Sequence, residues 1–360
     1  MIVMKFRLFR LLLPVLATSP AVAGESLLAA YIATTPAKDS PWRVGGGYAH
    51  LLGLKTEFRG LGTFNSPNMI QPLGGGINRD YDNGYVRVDI SNNQDDETWN
   101  WSYDDDSQHN PAGSGSINYS ITNSLANASV DEDDGGHPGL ELFAYYDMGV
   151  ANLMSNKVPN ASWGFRYGLQ YNRVDMSNNS VLSTGLTTTT DRFDLGGNIA
   201  PLAPFTGSFS GPGPLLSDSP TRATSLAGTG IVQGNRELDL DLTQFSLGTY
   251  LELPVTDKFH VICEAGLSLG FASGSYNFQS ATTLSGLGTQ NSSGSNSSNK
   301  ILPGAYIGLG ATYALDDQWA ILVSARYQYM DRFDISAKDT EASLSFDSAY
   351  LLSLGCVYSF

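Results

Sequence analysis

Side-chain character alternates at every second residue over unusually long stretches, and this limits the chain more than any other feature. In Trp163–Tyr171 the residues Trp163, Phe165, Tyr167, Leu169 and Tyr171 fall on one side, and Gly164, Arg166, Gly168 and Gln170 on the other. Trp319–Tyr329 repeats the arrangement, with Trp319, Ile321, Val323, Ala325, Tyr327 and Tyr329 opposite Ala320, Leu322, Ser324, Arg326 and Gln328. The chain's last stretch puts Tyr350, Leu352, Leu354, Cys356 and Tyr358 on one face and finishes on Phe360. A period of two is the period of a strand. Aromatic residues at both ends of an apolar face, with glycine and single charges behind it, describe a strand with lipid on one side and a polar interior on the other. Crossing a bilayer takes about 9–11 tilted residues, whereas strands of soluble sheets run to about 5–6.

Ten segments qualify: 42–53, 84–92, 98–104, 139–149, 161–175, 237–253, 259–272, 303–315, 319–331 and 345–360. Short turns at Asn93–Glu97, Ala151–Asn160, Pro254–Lys258 and Asp316–Gln318 alternate with long polar stretches at 54–83, 105–138, 176–236, 273–302 and 332–344. The expected fold is all-β, a closed antiparallel transmembrane β-barrel of about ten strands, with eight or twelve also consistent, because single-chain bacterial barrels have even strand numbers. The short turns would face the periplasm and the long loops the outside. Closure is forced, since an unpaired backbone N–H or C=O in lipid costs several kcal/mol. Tyr350–Phe360 is then the strand that closes on the first.

The first residues carry Lys5, Arg7 and Arg10, an apolar run from Leu11 to Ala17, and Ala21-Val22-Ala23 before Gly24. Residues 1–23 are expected to be an export signal, the run being too short to span a membrane as a helix. Residues 24–41 would be a periplasmic leader and 42–360 the barrel. Charged residues make up 15% of the chain, below the roughly 25% of soluble domains. The formal charge of −15 opposes a nucleic-acid partner, which requires a basic surface. Two cysteines, Cys263 and Cys356, both in mid-strand, are expected to be free thiols.

The signal at 1–23 and the terminal pattern of Leu352, Leu354, Cys356, Tyr358 and Phe360 resemble the bacterial outer-membrane β-barrel superfamily, the broad group of small OmpA-like and porin-like barrels. The resemblance implies location in the bacterial outer membrane, contact with its lipid, and a role for Tyr358 and Phe360 as the signal read by the barrel assembly machinery. It names no subfamily and no extracellular ligand.

Eight charged residues are expected to face the lumen: Arg87, Asp89, Glu141, Asp147, Arg166, Glu252, Glu264 and Arg326. Buried charges persist when paired or hydrated. The two possible functions therefore separate inside the barrel. Charges lining opposite walls around water would make a narrow, mildly cation-selective pore for small solutes. A continuous network of Arg166, Arg326, Glu141 and Glu264 would block passage, leaving a structural or adhesive surface barrel with partner-binding loops. The acidic stretch at 105–138 carries no Lys or Arg. Its Asp131, Asp133 and Asp134 are weak calcium candidates, because the spacing of a calcium-binding loop is absent. A rim hydrolase can be drawn from His109 and His137 beside Asp106 and Asp134, yet no motif fixes catalytic geometry. Gly207–Gly211 has Phe209 where a nucleophile elbow has Ser, and Gly228–Gly234 has the wrong glycine spacing for a dinucleotide loop. No enzymatic activity, cofactor or metal is expected.

Overall fold

The computed structural model describes residues 40–88, 96–133, 135–151 and 161–360. The expected signal at 1–23, the leader up to residue 39, Asp89 and Asp134 lie outside the described residues, as does the side chain of Asp133.

Among the described residues eight strands, not ten, form the ring. They are β1 (Trp42–Leu52), β2 (His137–Ala151), β3 (Ala161–Asn178), β4 (Thr221–Pro254), β5 (Phe259–Leu284), β6 (Gly288–Ala314), β7 (Trp319–Met330) and β8 (Ala349–Ser359). Each pairs antiparallel with its neighbours in sequence. β1 and β8 close the circle in a register running from Arg43↔Ser359 to Leu52↔Tyr350. Main chain meets main chain tightly at this seam: a Cβ on Gly47 would collide with the Leu354 carbonyl oxygen, and one on Gly45 would stand 2.5 Å from that of Cys356. The Gly45-Gly46-Gly47 run in β1 therefore lets the first and last strands approach.

The two segments wrongly placed in the ring are 84–92 and 98–104. Their described parts belong to a small separate sheet of Arg79–Tyr81, Gly84–Val86, Trp101–Tyr103 and Phe205–Thr206. Trp101 and Tyr103 do alternate, but they are buried against Tyr119, Phe193 and Leu216 in a core of their own, so protein rather than lipid meets that face. Conversely, the stretch 273–302 is not a loop. β5 and β6 continue through it as one paired hairpin, from Leu284↔Gly288 down to Phe259↔Tyr313.

The long strands change sides once. The row Tyr171↔Thr243↔Phe271↔Ile301 is the last in which outward residues are largely apolar; the next outward row is Arg173↔Asp241↔Ser273↔Asn299. Below that boundary Leu247, Leu267 and Leu309 point out while Arg166, Gln170 and Gln244 are buried inside. Above it the inward residues are Val174, Met176, Leu238, Leu240, Leu242, Tyr276 and Phe278, all buried. Sheet with an apolar outer face thus becomes sheet with a polar outer face without any break in hydrogen bonding.

The inward apolar residues above the boundary need a core, and the connections supply it. A four-stranded sheet of Phe333–Ala337, Thr340–Ser345, Lys55–Leu61 and Ala128–Asp133 lies against them. Phe58, Leu61, Phe333, Leu344 and Phe346 join the wall residues in one buried cluster. Further out, strand Leu182–Asp194 pairs onto the distal half of β4 and strand Ser116–Ser124 pairs onto Leu182–Asp194, with the small sheet around Trp101 beside them.

Candidate functional site

The interior of the ring is filled in tiers. At the short-turn end, Arg43 on β1 meets Glu252 on β4 at 2.7 Å and Asp147 on β2 at 3.1 Å, and donates to the Tyr250 hydroxyl at 3.1 Å. His260 Nδ1 lies 2.9 Å from the second oxygen of Glu252. Arg43, Asp147, Glu252 and His260 line a cavity of about 660 Å³ at this end, together with Asp316 and Trp319. The next residues inward on the same strands are apolar: Phe143, Tyr145, Tyr250, Ile262, Leu322 and Val357 pack together across the barrel.

Above that belt stands a closed ring of four charges. Arg166 on β3 contacts Glu141 on β2 at 2.5 Å and Glu264 on β5 at 3.1 Å. Arg326 on β7 contacts the same two carboxylates, Glu264 at 3.1 Å and Glu141 more closely. Ser353 on β8 donates to Glu141 at 2.9 Å. All four charged side chains are at most 3% exposed. Two guanidiniums bridging two carboxylates leave the group formally neutral, the condition under which buried charge is tolerated. Gln170 donates to Asn172 and accepts from Gln328 further along the same strands. Beyond lies the apolar plug.

Of the eight residues expected in the lumen, six are there. Glu141, Arg166, Glu264 and Arg326 are brought together in one ring, and Asp147 and Glu252 lie in the tier near the short turns. Arg87 is a correction: it sits in the outer cap paired with exposed Asp80, because its segment is not a barrel strand. Asp89 is outside the described residues. Arg43, the cation of the lower tier, was missed, although its phase opposite Trp42 and Val44 marked it as inward. The four charges lock to one another across the lumen, and eight-stranded barrels are filled by side chains.

The other candidates do not assemble. Asp131 lies opposite Glu57 in a cap strand, and no group of three or more His, Cys, Asp or Glu is placed to hold a metal among the described residues. His137 is buried on the inner side of β2, its carbonyl accepting from Asn172. No hydrogen bond or ion pair joins His109 to a carboxylate among the described residues; its main chain pairs with Ile117. Tyr358 packs against Trp319 and against Phe360, each with ring centroids 5.0 Å apart. Cys263 and Cys356 are free, as expected.

The cap carries its own polar centre. Asp191 accepts two bonds of 2.7 Å from Arg222 and one of 2.7 Å from Tyr81. Burial, reinforced by Asp191, pushes the Tyr81 hydroxyl well above its ordinary value, and burial does the same for Tyr119. Arg79, 1% exposed, donates to the carbonyls of Ile77, Asp218, Pro72 and Gly74 and so ties the connection 70–78 to the cap.

No protein-family model and no curated protein matches the chain. Among solved structures, the attachment invasion locus protein Ail of Yersinia pestis aligns at 8% identity, covering 87% of this chain and 99% of that one, with a TM-score of 0.26. The outer membrane protease OmpT of Escherichia coli aligns at 11% identity, covering 91% and 100%, with a TM-score of 0.34. A Pseudomonas aeruginosa FadL homologue aligns at 8% identity, covering 88% and 90%, with a TM-score of 0.16. The expectation that the chain is no enzyme is corrected here: an outer membrane protease is among the matches, so the architecture does not exclude catalysis.

Proposed function

We propose that the chain is an exported bacterial outer-membrane surface protein: a closed barrel that anchors a rigid extracellular cap, and a cap that binds a partner. The four-charge ring of Glu141, Arg166, Glu264 and Arg326 carries the reading, because it occupies the cross-section a solute would need. The apolar plug around Phe58 and Phe333 supports it from above, and the outward band of Leu, Ile, Trp and Tyr supports the placement in lipid. Residues 1–23 direct export, outer-membrane lipid covers the apolar band, and the aromatic-ended β8 engages the assembly machinery. Nothing favours the narrow-pore reading over this one.

Single-channel recording on the refolded chain lacking residues 1–23 tests the proposal. Protein that shifts on a gel upon heating, and is therefore folded, should give no unitary steps in a planar bilayer. Reproducible steps with a fixed unit conductance would refute the closed lumen. An epitope inserted at Gly113, at an exposed cap turn, should be reached by antibody on intact cells; labelling only after lysis would refute the outward cap.

A further inference from the structure

One connection of the cap, otherwise rich in Ser, Thr and Gly, carries a wholly apolar run, Ile199-Ala-Pro-Leu-Ala-Pro-Phe205. The run is held along its length. Just ahead of it the Gly197 amide donates to the Ser114 carbonyl at 2.8 Å, and the Asn198 side chain donates to the carbonyls of Leu195 at 2.8 Å and Leu215 at 3.1 Å. Midway, the Tyr103 hydroxyl donates to the Pro201 carbonyl, and the Ala203 amide donates to Asp106 at 2.8 Å. Phe205 then turns inward onto Trp101, with ring centroids 4.6 Å apart. Ile199 and Leu202 do the opposite: they stand 89% and 85% exposed. Three residues apart, they lie within about 11 Å of each other. A lone exposed aliphatic residue is ordinary, but two on one fixed arch mark a surface for contact.

The groups beside the arch are acidic. Asp106 holds the Ala203 amide, and exposed Asp104 and Asp105 precede it. Asp194 accepts from the Gly196 amide at 2.7 Å, and Glu97 Oε1 lies 3.5 Å from where a Cβ on Gly196 would stand. Against these five carboxylates the nearby cation is Arg192, beside Asp194. Arg87 and Arg222 are paired with Asp80 and Asp191, and buried Arg79 is held by main-chain carbonyls.

We infer that Ile199 and Leu202 are the apolar anchors of a docking surface for a basic polypeptide segment, one that carries Lys or Arg next to apolar side chains. The anchors pack on its apolar residues, and the surrounding carboxylates steer and pair its cations. An arch already fixed by hydrogen bonds loses little entropy on contact. The same carboxylates oppose an acidic partner. The inference rests on the reading of a partner-binding cap and names where that cap binds and what it takes. Channel recording and surface labelling test the closed barrel and the outward cap separately, so failure of one is distinguishable from failure of the other.

The probe is a phage-displayed library of random peptides panned on the refolded chain in micelles. Enriched peptides should combine Lys or Arg with aliphatic or aromatic residues. Ile199→Ser and Leu202→Ser should each weaken their binding by at least about tenfold. Both positions are exposed, so both variants should still fold and shift on a heated gel. Leu226→Ser, at another exposed aliphatic position of the cap, should bind as the parent does. Asp104→Asn with Asp105→Asn should flatten the salt dependence of binding, and the turn should survive because Asn caps as Asp does. Leu202→Cys, in a chain with Cys263→Ala and Cys356→Ala, should react with a bulky maleimide. Protection of that thiol would mean that another part of the chain covers the arch, and would overturn the inference. So would absence of enrichment, enriched peptides without basic residues, or binding indifferent to Ile199→Ser and Leu202→Ser. Flotation on phosphatidylcholine vesicles, or a dimer of the chain, that Leu202→Ser abolishes would overturn it too, since a lipid surface or a second copy would then be the occupant.

Discussion

Replacing Glu141 by Gln removes one of two carboxylates that hold two buried guanidiniums. The ring of Glu141, Arg166, Glu264 and Arg326 goes from formally neutral to one net positive charge, at a site 1% exposed. Arg166 and Arg326 are left with Glu264 alone between them, and the Ser353 hydroxyl loses its anionic acceptor. Breaking a buried pair from one side costs about 3–5 kcal/mol. At a urea slope of about 2 kcal/mol per M, that moves the unfolding midpoint down by roughly 2 M. The control is Asp175→Asn, which breaks the Arg173–Asp175 pair, whose side chains are 65% and 60% exposed; solvent screens such a pair, and its loss should leave the midpoint nearly unmoved. Tryptophan fluorescence in lipid vesicles against urea reads both. Adding Arg326→Gln to Glu141→Gln restores neutrality and should recover about 0.5–3 kcal/mol. A Glu141→Gln midpoint equal to that of Asp175→Asn, or no recovery in the double variant, would refute the neutral-ring argument.

Further expectations follow from other tiers. Gly47→Val forces a side chain onto the β8 main chain and should abolish the heat-shifted folded band, whereas Gly113→Ala, in an open cap turn, should not. Phe58→Ala empties a fully buried position in the plug and should cost about 3–5 kcal/mol by urea titration. The buried Tyr81 and Tyr119 hydroxyls are raised above their unfolded value of about 10, so their contribution is complete below that pH and is lost as pH rises beyond it. Limited proteolysis of the cap should accelerate above that pH, and Tyr81→Phe should lessen the pH dependence while weakening the cap at neutral pH through the lost bond to Asp191.

The ring half of the fold was legible because two-residue alternation with aromatic ends, sustained over such lengths, marks long strands with one apolar face. Trp163–Tyr171, Trp319–Tyr329 and Tyr350–Tyr358 all lie on ring strands, and Glu141, Arg166, Glu264 and Arg326 were placed inward by phase alone. That phase says nothing of what covers a face. Trp101 and Tyr103 alternate as a lipid-facing strand would, yet they pack in a protein core, and the strand number rose by two as a result. The tract 288–299 read as a loop because Ser, Asn and Gly have low strand propensity. It is a strand because β5, with Tyr276 and Phe278 anchored in the plug, supplies a ladder for it. Which charges meet across the lumen depended on closure of the circle, a property of the whole chain that no window of residues contains.

On the proposed placement in a bilayer, the exchange of sides between Tyr171 and Arg173 makes the barrel its own depth gauge. Sliding the protein toward the periplasm would drag Arg173, Asp175, Asp239 and Asp241 into hydrocarbon, at up to about 2–4 kcal/mol for Arg as it nears the midplane and less for Asp. Sliding it outward would lift Leu247, Leu267 and Leu309 into water, losing about 25 cal/mol for each Å² of apolar surface. Both displacements are opposed within a step or two of the strand. Every element above the boundary is therefore presented at a set height over the bilayer, and a partner that reaches only so far from its own surface would meet this cap or miss it on length alone.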